Sequence, residues 1–148
     1  MHDLHPVAYR DLTFDDMPWV LSLAHKRYPT FDPGGALRFL AIVIPAPQAL
    51  TIRSEGAFLI ASHVAAPPWY PDQPECHVMA LCAEAGAHWE AARLMRRSVS
   101  WAREQGCVRW RFHSETEHLI GALAERVGAR KDSPRYVIDL SHTERDGG

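Results

Sequence analysis

The chain has 148 residues, the length of one domain, and its 47% hydrophobic content is enough to bury a core, which excludes a disordered or low-complexity protein. A net charge of −2 gives no overall field to recruit nucleic acid or a membrane surface, and no apolar stretch approaches the roughly 20 residues of a membrane span. Its cysteines, Cys76, Cys82 and Cys107, are odd in number, sit in apolar runs and form no CxxC, so they read as reduced buried thiols of a cytosol-like compartment; Met1-His2-Asp3-Leu4-His5 has no signal-peptide pattern.

Residues 7–10 read as a short strand. Thr13 and Asp16 form a capping-box-like start to a helix reaching Tyr28, with Pro18 in the first turn, where its missing N–H costs little. Trp19, Val20, Leu23 and Ala24 give that helix an apolar stripe, and Pro29 stops it. Asp32-Pro33-Gly34-Gly35 reads as a turn, followed by a more apolar helix over 36–44 ended by Pro45 and Pro47. Residues 49–53 and 57–63, joined by Ser54-Glu55-Gly56, form a β-hairpin pattern. Pro67, Pro68, Pro71 and Pro74 then stiffen a loop with Trp69 and Tyr70 at its centre, and 75–83 is a strand.

The longest helix is expected over 87–105, with Ala92, Met95, Val99 and Ala102 as its buried stripe and Gly106 as its C′ residue. Residues 107–113 alternate: Val108, Trp110 and Phe112 on one face, Arg109, Arg111 and His113 on the other. A helix over 116–127 closed by Gly128, a strand over 135–140 and a polar tail over 141–148 complete the chain as a single domain over 1–140. Hairpin strands followed by alternating strands and helices predict a mixed, mostly antiparallel α/β (α+β) sheet with helices on both faces.

This order, with a long helix directly after the fourth strand, resembles the GNAT N-acetyltransferase superfamily over most of 7–140. The segment His118-Leu119-Ile120-Gly121 through Gly128 to Leu140 resembles the family's helix-glycine-strand ending. In that family a Q/R-x-x-G-x-G/A loop and the helix N-terminus behind it hold the pyrophosphate of coenzyme A, because orphan N–H groups and the helix dipole favour phosphate. Anchored on Leu94 and Met95, the resemblance puts the cofactor loop after Ala83, with the pattern on Ala85, Gly86, Ala87, His88, Trp89 and Glu90. His88 and Glu90 then stand where the family has small residues, and Glu90 brings negative charge towards the phosphates. The resemblance further implies a base near the fourth strand, for which Glu75 and His77 are the candidates, and a tyrosine acid whose position falls on Ala124.

The sequence therefore predicts a degenerate GNAT-like domain that needs no cofactor and serves as a structural or interaction module in a larger assembly. A protein partner or a second copy would bind through Trp69 and Tyr70, in the cytoplasm or, by analogy of fold, in a phage virion. The alternative is an active acetyl-CoA-dependent N-acetyltransferase acting on a primary amine. A third reading, nucleic-acid binding, rests on Arg93, Arg96, Arg97, Arg103, Arg109 and Arg111, although residues 87–148 carry only a +2 balance against −4 for 1–86. His113 and His118 are five apart but belong to no HExxH or Cys/His pair, so no metal site is expected.

Overall fold

The computed structural model describes residues 8–28, 30–66, 68, 69, 71–112 and 128. The predicted helix over 116–127, the strand over 135–140 and the 141–148 tail lie outside these, as do Tyr70, His113, His118 and Ala124.

The described elements run β1 (Arg10–Asp11), a 3₁₀ turn (Phe14–Asp16), α1 (Met17–Arg27), α2 (Pro33–Val43), β2 (Ala49–Arg53), β3 (Ala57–Val64), β4 (Glu75–Ala83), α3 (His88–Glu104) and β5 (Arg109–Phe112). They form one five-stranded sheet in the order β1-β2-β3-β4-β5. The first four strands are antiparallel; β5 pairs parallel with β4 after the α3 crossover. The mixed, mostly antiparallel sheet is the architecture expected from the sequence.

Both faces of the sheet are covered, which is why β3 and β4 read as nearly continuous apolar runs. Ala57, Leu59 and Ala61 face α3 and pack with Ala91, Leu94 and Met95. Phe58, Ile60 and Cys82 face the other way and pack with Val20, Leu23 and Leu40 of α1 and α2. Helix α3 buries a wider face than the expected stripe, adding Leu94, Ser98 and Trp101 while Val99 is only half-buried. A helix lying on a sheet covers more surface than a two-position seam. Its buried polar member is satisfied: the Ser98 hydroxyl donates to the Met95 carbonyl at 2.6 Å and accepts from Trp110 Nε1 at 2.9 Å.

Two local expectations shift. The segment read as the turn Asp32-Pro33-Gly34-Gly35 is the start of α2, with the Ala36 N–H already bonded to the Asp32 carbonyl at 2.9 Å. Proline at the first helical position has no N–H to lose, so it opens a helix as readily as a turn. The first strand lies at Arg10–Asp11, opposite Arg53 and Ile52. There Arg10 and Arg53 clamp the buried Asp16 carboxylate, which also accepts the Thr13 N–H at 2.8 Å and closes the predicted capping box. Hydrogen bonds from Arg10, opposed by burial, hold Asp16 well below the usual carboxylate range.

Candidate functional site

Strand β4 is paired on both sides over its first half. Glu75–Val78 pair with Arg109–Phe112 of β5, and Phe112 is the last described residue of that strand. A bulge follows. Ile60 is opposite Ala80 and Ala61 opposite Val78, so Met79 is left without a partner on β3 and is 54% exposed. Cys76 and Val78 point to the α3 core before the bulge, Leu81 and Ala83 after it, so the extra residue reverses the phase of alternation. The bulged half of β4 runs directly into the loop that starts α3.

That loop is short. The Ala87 N–H donates to the Glu84 carbonyl at 3.0 Å, and Gly86 adopts φ +84°, a backbone that side chains disfavour. The main-chain N–H groups of Ala85, Gly86, His88 and Glu90 find no acceptor among the described residues. With the dipole of a 17-residue helix behind them, they make a site suited to an anion. Glu90 does not stand over this N-terminus unattached: its Oε1 accepts the Gly56 N–H at 2.7 Å, tying α3 to the β2–β3 turn. The small residues that the packing demands here are Gly56, Ala87 and Ala91. A Cβ on Gly56 would lie 2.9 Å from the Ala87 Cβ, while Ala87 and Ala91 are buried against the sheet. His88 is half-buried with Nδ1 unpartnered, and Trp89 is 65% exposed. Sequence reasoning missed Arg27, whose Nη2 donates to the Ala83 carbonyl at 2.8 Å and brings a cation to the residue before the loop. No local signal could have found a pair 56 positions apart.

At the paired end of β4, Glu75 and His77 are together, as their spacing implied. His77 Nε2 is 2.9 Å from Glu75 Oε1. Arg111 Nε donates to the same oxygen at 2.8 Å, and Arg109 Nη1 reaches Oε2 at 3.3 Å. Burial alone would raise the Glu75 pKa, but the bonds from His77 and Arg111 and the arginine charge outweigh it and hold the carboxyl down to about 2. Glu75 is thus an anion with little basicity. As an acceptor it holds the His77 ring through Nε2 and leaves Nδ1 turned away from the carboxylate.

The other candidate residues are scattered. Trp69 is 74% exposed in the proline loop. On α3, Arg96 and Arg103 are exposed and Arg97 pairs with Glu104 at 2.8 Å, as on a solvated helix face. Burial, with a contribution from Cys107, pushes the Cys76 thiol up to about 12. Among the described residues no helix is long and apolar enough to cross a membrane.

A mixed, mostly antiparallel sheet with a bulged fourth strand and a long helix directly after it is the GNAT fold, and comparison with solved structures bears this out. A predicted acetyltransferase of Clostridium acetobutylicum, solved with acetyl-CoA, superposes with a TM-score of 0.77 at 14% identity, covering 93% of this chain and 98% of its own. The aminoglycoside 6′-N-acetyltransferase AAC(6′)-Ih of Acinetobacter baumannii gives 0.73 at 13%, covering 90% and 97%. AAC(6′)-Iy, bound to a bisubstrate analogue of coenzyme A and acetylneamine, gives 0.74 at 12%, covering 91% and 98%. No protein-family model matches the sequence, and no curated protein matches it.

Proposed function

We propose that the protein is an acyl-CoA-dependent N-acyltransferase acting on a primary amine. One observation carries the reading: the bulged end of β4 leads straight into N–H groups at the start of α3 that find no acceptor among the described residues. An extended chain that ends in a diphosphate matches that succession, with strand-like backbone pairing first and a helix N-terminus after it. Ala83, Gly86, Ala87 and His88 would line the coenzyme, with Trp89 beside them. The reading is supported by the hydrogen bond from Gly56 to Glu90, which turns one oxygen of that carboxylate towards the β2–β3 turn. Bound there, an acyl-CoA would supply an acyl group activated as a thioester. His77 would take the amine proton at Nδ1, while Glu75 holds the imidazole and takes no proton itself. The amine nitrogen gains the bond to the carbonyl carbon, and the sulfur leaves with the C–S electron pair and a proton.

Calorimetry with acetyl-CoA tests the reading. Micromolar binding that weakens strongly for pantetheine alone is expected; absence of binding at millimolar acetyl-CoA would remove it. A second reading, the non-catalytic interaction module, keeps one supporting observation, the exposed Trp69. It requires Trp69→Ala to abolish self-association or partner capture in sedimentation while leaving the circular dichroism unchanged.

A further inference from the structure

We infer that the acceptor is a monoamine with an apolar or aromatic body, and that its body sits in the pocket between α1, α2 and the sheet; this rests on the acyltransferase reading. The pocket, of about 210 Å³, is floored by Phe58, Ile60 and Ala80 and walled by Leu21 of α1 and Phe39 of α2, with Met79 at the bulge on its rim. No residue lining it is charged; the only polar side-chain atoms are the Tyr28 hydroxyl and the Cys82 thiol. Its volume falls below the roughly 300 Å³ at which drug-sized ligand sites begin, which suits a group the size of one aromatic side chain.

Position ties this pocket to the chemistry. Glu75 and His77 precede the bulge, and Ala80 and Cys82, which line the pocket, follow it on the same face of the sheet. His77 and Ala80 are three residues apart, about 10 Å along a strand. An amine nitrogen within reach of His77 Nδ1 therefore leaves the rest of a short molecule over Met79 and Ala80. The lining decides the class of acceptor. A polycation such as an aminoglycoside or a polyamine needs acidic walls, and here it would have to strip water from further charges against an apolar surface that offers them no carboxylate. A monoamine places only its apolar body in the pocket and keeps its one nitrogen beside Glu75 and His77.

The test uses the full chain with 2-phenylethylamine and spermidine. Without any thioester, calorimetry should show 2-phenylethylamine binding and no spermidine binding. With acetyl-CoA, kcat/KM should favour 2-phenylethylamine by about ten-fold or more, equivalent to roughly 1.4 kcal/mol. Ala36→Phe, which fills the pocket from the half-buried face of α2, should abolish the preference and leave acetyl-CoA affinity unchanged. Leu21→Asn, which makes the wall polar without changing its size much, should act in the same direction if Ala36→Phe fails to fold. Equal or better turnover of spermidine, or an unchanged KM for 2-phenylethylamine in both variants, would overturn the inference. If acetyl-CoA does not bind but 2-phenylethylamine does, in a manner sensitive to position 36, the acyltransferase reading falls and the apolar site stands.

Discussion

In the proposed acyltransferase, two residues two positions apart are given opposite chemical duties because their surroundings differ. Glu75 has a half-buried carboxylate and three donors, so its pKa is driven to about 2 and it remains an anion at every working pH. His77 meets one side chain among the described residues, Glu75, and does so through Nε2. The two can be separated by substitution. His77→Ala should cost about 10²–10⁴-fold in kcat while leaving acetyl-CoA affinity intact, since proton transfer and coenzyme binding use different atoms. Glu75→Gln should cost less in kcat, because the amide oxygen still accepts from His77, yet it should destabilise the fold by about 1–3 kcal/mol by removing the negative charge that Arg109 and Arg111 pair with and the oxygen that accepts from Arg109. Steady-state kinetics and urea unfolding on the same two proteins check both halves. Equal losses of kcat with no change in stability would mean that Glu75, and not His77, takes the proton.

At the scale of elements, the junction between the β2–β3 turn and the first turn of α3 sets the geometry of the proposed anion site. It is held by the Glu84 N–H on the Gly56 carbonyl at 2.7 Å, by Glu90 on the Gly56 N–H, and by the absence of a Cβ at Gly56. Gly56→Ala would force its methyl against Ala87, where backbone must move, so a loss of about 1–3 kcal/mol is expected, with weakened acetyl-CoA binding. Differential scanning calorimetry and a coenzyme titration read the two effects; an unchanged protein would show that the turn and helix can slide apart freely. This junction also marks where the sequence stops being legible. Strands β2 and β4 carry the limits read from the chain, since proline, glycine and the apolar runs bracket them. The face of Glu75 and His77 is legible too, because it depends only on spacing. The reversal of phase at Met79 is not, because a bulge is fixed by pairing with β3 and leaves no mark in β4's own composition. The partner of Glu90 is equally hidden: a carboxylate at the third helical position reads as a charge near the N-terminus until the turn that it grips, 34 positions away, is known.

Across the whole molecule, two carboxylates fasten the first and last strand pairs among the described residues. Asp16 binds Arg10 and Arg53 at the β1–β2 edge beside α1, and Glu75 binds Arg109 and Arg111 across β4 and β5. Both pKa values are lower in the folded chain than in the unfolded one, so the unfolded state takes up protons first as acid is added. Their stabilisation is complete above the ordinary carboxylate values of 3.8 and 4.5, and is lost as the pH falls through the folded values. For Glu75 the window runs from pH 4.5 to about 2; for Asp16 it opens at 3.8 and extends lower. The native protein should therefore lose urea resistance steeply below pH 4.5. Asp16→Asn and Glu75→Gln should each lower the midpoint at neutral pH and flatten the curve in acid, because the variant no longer has that carboxylate to protonate. The double variant should be flatter than either single one, since the two clusters share no residue and their effects should add. Urea midpoints across an acid titration of the four proteins decide the matter. A native curve as flat as that of the double variant would mean that these clamps form equally well in the unfolded chain and contribute nothing to holding the sheet together.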